Sequence, residues 1–300
     1  MWECKILCLC ISWDTLFFSS LFNRGESYIL YLAIVIILIG IIAGIYGFFE
    51  ARRIGISRLE LKFEKLPDAF DGFQFVHISD LHIRNFGPFE KQLLDKLKIL
   101  NPKLILMTGD FKWSKHTDNQ KVINAVQKIL DEIKLEYGFI CIEGNHDKLG
   151  FVDELRKLNV IYLHNEYYRL IKGGDEIYIL GVSKSHPTKK NQGIMKLRKA
   201  KNGLREEAFK ILLAHTPNYM PIAKKEKIDL ILAGDTHGGQ VRLPLLGALV
   251  IKTKTPLRYS MGLIKEENTI LYTNRGVGTR GIPIRLFCPP EIAVITLRKR

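Results

Sequence analysis

Two patterns of apolar spacing divide the chain. Residues 28–48 form an unbroken stretch of 21 residues without a charge, and beyond residue 67 short apolar runs alternate with amphipathic ones. At about 1.5 Å of rise per residue the long run reaches across a hydrocarbon core of about 30 Å, so it predicts a transmembrane helix. A buried helix of a soluble domain would carry a polar face somewhere in that length, and a cleaved signal peptide would have a shorter apolar core behind a basic leader. The short runs predict strands at 74–79, 104–108, 139–143, 177–182, 211–214, 230–233, 248–251, 270–274 and 292–297. Several are apolar at every position, as strands covered on both faces should be. Between the early strands the spacing predicts helices over 88–100, with Pro88 in the first turn, and over 119–135, where Val122, Val126, Ile129, Leu130 and Ile133 make one stripe. The C-terminal third is rich in strands rather than alternating, which argues for a layered sandwich with helices outside rather than a single doubly wound sheet.

The expected organisation is a leader (1–27), a membrane helix (28–48), a basic linker (49–66) and one α/β domain (67–300). Within the leader, 6–22 is apolar apart from Asp14 and is a second candidate for membrane association. A chain that is 47% hydrophobic and 25% charged is neither wholly disordered nor a polytopic transporter. Cys4, Cys8 and Cys10 fall in the leader, leaving Cys141 and Cys288, too few for a disulfide framework and in keeping with a reducing compartment.

The net charge is +14, and residues 1–50 hold two bases (Lys5, Arg24) against four acids (Glu3, Asp14, Glu26, Glu50), so the surplus lies wholly beyond residue 50. Such a surplus favours polyanions, anionic lipid or phosphorylated substrates. Arg52, Arg53, Arg58, Lys62 and Lys65 follow the apolar run, an excess that places the C-terminal side in the cytoplasm. The basic stretch Lys189, Lys190, Lys196, Arg198, Lys199, Lys201 and Arg205 has the charge to lie on anionic headgroups, or equally to be a solvated loop.

Polar residues able to hold metal follow the predicted strands directly: Asp80-Leu81-His82, Gly109-Asp110, Gly144-Asn145-His146-Asp147, His215 and Asp235-Thr236-His237. Strand ends converging on one crevice are where open α/β sheets bind ligands. Carboxylates, imidazoles and an amide together point away from thiolate zinc sites and towards manganese, iron or zinc. Taken singly, Asp110 and Asn145 are better explained as caps or turn residues, and His215 as a buried structural histidine; their joint occurrence is what favours a metal site. Seven candidate ligands from five segments suit two cations, and a pair about 3.5–4 Å apart can bind a phosphoryl oxygen and acidify water, which is phosphoester hydrolysis.

These motifs, in this order over residues 73–239, resemble those of the calcineurin-like metallophosphoesterase superfamily. Gly-Asn-His-Asp alone is expected about once in a thousand random chains of this length. The resemblance implies a four-layer αββα sandwich with two divalent metals at one end of its sheets. It implies that Asp80, His82 and His237 hold the first metal, that Asp110 bridges, and that Asn145 and His215 hold the second. It gives His146 to the phosphate, to stabilise the transition state or protonate the leaving oxygen, with Asp147 orienting the imidazole and favouring its protonated form. Asp235 stands where a histidine usually precedes Thr-His; as a ligand it would shift preference towards manganese or magnesium, and the rival reading has it act through water.

Arg84 is a candidate for binding a substrate phosphate, as are Arg275 and Arg280 in a Gly-rich C-terminal segment similar to that of the membrane-anchored bacterial branch, while Arg285 reads as structural. Anchoring raises local concentration at lipid headgroups, so the leading expectation is a phosphodiester or pyrophosphate in a lipid-linked substrate. One member of that branch, a UDP-2,3-diacylglucosamine pyrophosphatase, resembles the chain in architecture. The alternatives are a phosphodiesterase for soluble nucleotides or nucleic acid, which the charge favours but for which no aromatic-basic stripe is present, and a non-catalytic membrane scaffold retaining the fold.

Overall fold

Apolar side chains from two six-stranded sheets meet face to face within residues 47–300 and set the plan of that unit. The computed structural model describes residues 7–147, 149–183, 191–249, 251 and 254–300. The first sheet runs in the order β1 (Gly55–Phe63), β14 (Glu291–Lys299), β2 (Gln74–Ile78), β3 (Ile105–Met107), β4 (Phe139–Cys141), β5 (Ile161–Tyr162). The second runs β12 (Gly262–Glu266), β13 (Thr269–Thr273), β9 (Leu230–Ala233), β8 (Lys210–Leu213), β7 (Asp175–Gly181), β6 (Glu166–Lys172). Between them Phe75, Leu106, Ile140 and Ile295 of one sheet pack with Ile179, Ile211, Leu232 and Ile270 of the other.

Each sheet is covered outside by helices. On the first, α2 (Pro88–Leu100), α3 (Asn119–Asp131) and α4 (Leu149–Leu155) bury Leu93, Leu97, Val122, Val126 and Val152 against Ile105, Met107 and Phe139. On the second, α5 (Gln192–Ala200) and α6 (Met220–Lys225) bury Leu197, Met220 and Ala223 against Leu180, Leu212 and Ile231. The result is the four-layer αββα sandwich. Strands β2 to β5 are parallel, as are β7, β8, β9 and β13, so the loops at their carboxyl ends gather at one end of the layers.

The stretch read as a basic linker, 49–66, instead contains β1. Its alternation puts Leu59, Leu61 and Phe63 on the inter-sheet core and Arg58, Glu60 and Lys62 outward, and in sequence the outward charges mask the inward period of two. Of the described residues in the run 248–251, only Ala248 is in a strand, β11 (Gly247–Ala248), which pairs with β10 (Arg242–Leu243) in a short hairpin, and α3 stops at Asp131 rather than 135. Of the basic stretch, residues 196–201 lie on or next to α5, where Arg198 and Lys201 pair with Glu226; Lys189 and Lys190 lie outside the described residues.

In the other unit, residues 1–46, the described residues 7–46 form the greater part of α1 (Leu7–Glu50). The segment Tyr28–Glu50, 23 residues, is long and apolar enough to cross a membrane by length and composition.

Candidate metal centre

The expected ligands lie past strand ends: Asp80 and His82 after β2, Asp110 after β3, Asn145 after β4 with His146 beside it, His215 after β8, Asp235 and His237 after β9. Five of these, Asp80, His82, Asp110, Asp235 and His237, have positive φ between 48° and 67°. Left-handed backbone costs a non-glycine residue about 1 kcal/mol or more, so a run of such residues marks loops bent to aim side chains inward. Glycines make room for the bends. A Cβ on Gly109, itself at φ +90°, would fall 2.6 Å from the carbonyl carbon of Glu143, and one on Gly234 would overlap Ser79 and Asp80.

The side chains form linked clusters. Asp80, His82 and His237 make one, and Asp80, Asp110 and His215 another. The Asp110 carboxylate lies between the two groups of histidines, 3.8 Å from Nε2 of His82 and 3.6 Å from Nε2 of His215. Nε2 of His82 and Nε2 of His237 face each other at 3.0 Å. Asp235 accepts a hydrogen bond from the Asn145 amide at 2.9 Å and lies 3.5 Å from Nε2 of His215, so it belongs with the second group.

The donor set fits metal ions. Nδ1 of His82 donates to the Lys112 carbonyl at 3.1 Å and Nδ1 of His215 to the Thr108 carbonyl at 2.7 Å, which leaves each Nε2 with its lone pair turned to the carboxylates. Lone pairs and carboxylates crowded into a buried space repel unless a cation lies among them. The protonation preferences of the protein alone express the same strain. Burial pushes Asp80 up to about 7, with the neighbouring charge of Asp110 adding to the effect. Burial works against ionising Asp110, but His215, His82 and His146 hold it below the usual carboxylate range. Burial also opposes a charge on His215, yet Asp110 and Asp235 raise it well above an ordinary imidazole: a proton takes the cation's place.

His146 is half-buried, with Nε2 3.9 Å from Asp110 and Nδ1 without a hydrogen-bond partner. Burial lowers its pKa, Asp110 pulls it up and Arg280 pushes it down again, with a net lowering that favours the neutral ring. Asp147 does not orient it, contrary to the expectation from sequence. Its carboxylate instead accepts the backbone N–H groups of Asp110 (2.9 Å), Gly144 (2.9 Å), Lys112 (3.2 Å) and Phe111 (3.3 Å), stapling the β3 loop to the β4 loop. Burial and then Asp110 push its pKa to about 6, against those donors.

The arginines divide. Arg84 is exposed, its guanidinium 3.6 Å over the Trp113 ring in a groove that also contains His82 and Arg52. Arg280 lines a different groove, beside Asp235 and His237. Arg275 pairs with Glu291 at 3.0 Å and bonds Ser57, tying the loop after β13 to β1 and β14, so its guanidinium is engaged within the protein. Arg285 is wholly buried, with its guanidinium on the carbonyls of Arg275, Gly276, Gly278 and Cys288 and 3.4 Å from Nδ1 of His237. Sequence reasoning made it structural but missed what it holds, because its partners are backbone carbonyls that carry no residue signal.

Residues 73–239 match the calcineurin-like phosphoesterase family. The chain is 29% identical over 269 residues to an uncharacterized metallophosphoesterase, YkuE, of Bacillus subtilis (strain 168), covering 85% of this chain and 90% of that one. It is 28% identical over 286 residues to a transmembrane protein with metallophosphoesterase domain of Danio rerio (89% and 62% covered), and 27% identical over 270 residues to the phosphodiesterase YaeI of Escherichia coli (strain K12) (84% and 89% covered). The chain belongs to the calcineurin-like phosphoesterase family and is a phosphoester hydrolase, with His and Asp residues able to bind metal.

Proposed function

We propose that this phosphoesterase is anchored in a membrane by residues 28–48 and hydrolyses a phosphodiester or pyrophosphate bond in a lipid-linked substrate, of which UDP-2,3-diacylglucosamine is the leading example. The observation that carries the hydrolytic site is the Asp110 carboxylate set between His82 and His215, which suits one group shared by two ions. Asp80, His82 and His237 would hold one ion, Asn145, His215 and Asp235 the other, and Asp110 both. When bound, two divalent cations, manganese for preference, supply Lewis acidity that draws charge from a phosphoryl oxygen and makes water more acidic.

The chain's own residues do the rest. Water adds to phosphorus as the bond to the leaving oxygen breaks, and that oxygen leaves with a proton. His146, whose ring favours the neutral form and whose Nε2 lies 3.9 Å from Asp110, is placed to take up the proton that the attacking water gives up and then deliver it to that oxygen. Arg84, with its guanidinium over the Trp113 ring, and Arg280, on the His237 side, offer donors to the non-transferred part of the substrate. Asp147 keeps Asp110 and Asn145 in register through the backbone.

The test is manganese-dependent turnover of bis-p-nitrophenyl phosphate, UDP-2,3-diacylglucosamine and single-stranded DNA by the wild type, Asp110→Ala and His146→Ala. The expected result is loss of about 10³-fold or more in kcat/KM for Asp110→Ala and about 10²-fold for His146→Ala. Equal rates in all three proteins would refute the catalytic assignment, and preference for DNA would move the substrate away from lipid.

Anchoring is supported by the apolar segment Tyr28–Glu50, and the basic residues Arg52, Arg53 and Arg58 after it favour a cytosolic catalytic unit. A reporter fused after Arg300 that fluoresces only outside the cytosol should stay dark; a bright signal reverses the orientation.

A further inference from the structure

A groove of about 330 Å³ opens beside Asp235 and His237, and its walls include Val241, Leu249, Ile282 and Ile284. A phosphate needs donors and cations, so aliphatic walls within reach of a phosphoester site are suited to some other part of the substrate, one that leaves water on binding.

The groove is built on the end of the apolar helix. Ile284 packs on Gly47, where a Cβ would fall 2.6 Å from its Cγ2. The Arg285 N–H donates to the Gly47 carbonyl at 3.0 Å, and the Glu50 carboxylate accepts the N–H groups of Phe287 (2.8 Å) and Cys288 (3.1 Å). Gly47 and Glu50 are in the last turn of the apolar segment Tyr28–Glu50, so one wall of the groove touches the chain where it leaves the proposed bilayer span. The β10–β11 hairpin is tied to the same wall, the Arg242 N–H donating to the Leu286 carbonyl at 2.9 Å. Its turn holds Leu245 and Leu246 at 107% and 71% exposure, with Leu249 at 56% and Ile282 at 69%. Four large aliphatic side chains on two linked loops are costly in water and favourable at a lipid interface.

We infer that this groove binds the hydrocarbon chain of an amphiphilic phosphoester drawn from the bilayer, and that the chain lies on the His237 side of the scissile phosphorus. The inference rests on the proposed phosphodiesterase reading and adds to it which residues recognise the lipid part. The polar remainder then points to the other side of the centre, where Arg84, Trp113 and Arg52 line the second groove.

The experiment uses the full chain in phosphatidylcholine nanodiscs with manganese, and methyl, butyl and octyl esters of p-nitrophenyl phosphate, each below its critical micelle concentration. The readout is the octyl-to-methyl ratio of kcat/KM within one preparation, so loss of fold or metal, which depresses both rates, cancels. Partition of the octyl ester into disc lipid is common to every protein compared. The wild type should prefer octyl, and Leu249→Glu and Ile282→Glu should lower the ratio by about tenfold, the scale expected for two or more methylenes no longer buried. Binding of a fluorescent dodecyl phosphate, followed by anisotropy, reads the groove without turnover and should weaken in the same variants. An unchanged ratio together with unchanged probe binding overturns the inference while bis-p-nitrophenyl phosphate hydrolysis leaves the phosphoesterase reading standing. A wild type that hydrolyses no diester overturns both.

Discussion

On the first sheet's side of the centre, the loops after β3 and β4 turn their N–H groups inward and an anion collects them: Asp147 accepts four. On the second sheet's side, the loop after β13 turns its carbonyls inward and a cation collects them: Arg285 donates to four. The need is the same in both places, since tight loops that aim metal ligands leave backbone groups unpaired away from water. The solutions are opposite in sign because the exposed backbone groups are. They also differ in reach. Asp147 stands two residues from Asn145, inside the motif it supports, whereas Arg285 lies 48 residues beyond His237 and depends on a segment that is itself held by Gly47 and Glu50.

Removing each charge tests that contrast most severely. Arg285→Met keeps the volume roughly and leaves buried carbonyls unpartnered, so it should cost about 4 kcal/mol in a denaturant melt. One tightly held ion should persist in elemental analysis, because Asp110, Asn145 and His215 are untouched. Asp147→Asn should cost less stability, about 2 kcal/mol, since its amide nitrogen replaces one acceptor and opposes backbone donors. Its effect on metal should be larger, a loss of roughly 10- to 100-fold in affinity for both ions, because the loop it releases carries the shared Asp110. If the two variants lose the same ions to the same degree, the halves are not independently held and the contrast fails.

Legibility in the sequence does not follow that division: it depends on whether an element is buried on both faces. The β2, β3, β4, β8 and β9 strands are short apolar runs with a ligand immediately after, and buried parallel strands must look like that. α2 was legible to the residue because Pro88 marks its first turn and its apolar spacing is regular. β1 was hidden by the outward Arg58, Glu60 and Lys62, and α5 by a surface stripe of bases over a buried Leu197 and Ala200. The ligand residues were legible as side chains, but the partners that set their state were not. Asp147 binds backbone rather than His146, Arg275 is spent on Glu291, and His82 and His215 take their orientation from the carbonyls of Lys112 and Thr108. Backbone groups are chemically alike at every position, so only the fold shows which of them face a site. The apolar groove was equally invisible, because Val241, Leu249, Ile282 and Ile284 meet across two loops with no spacing in common.

The smallest change that should still separate the halves is at Glu50. Its carboxylate accepts two N–H groups at the end of the segment that contains Arg285, whereas the N–H groups of the first half go to Asp147. Glu50→Gln retains one acceptor and presents its amide group to the other N–H, a loss of about 1 kcal/mol. Amide exchange should then quicken at Phe287 and Cys288 and, through Arg285, at the carbonyl-lined loop of Arg275 to Gly278. Exchange at Asp110, Phe111, Lys112 and Gly144, whose N–H groups belong to Asp147, should stay as it was. Faster exchange in both sets would mean that the end of the apolar helix supports the whole centre, and the division between an anion-held and a cation-held half would then describe hydrogen bonding without describing stability.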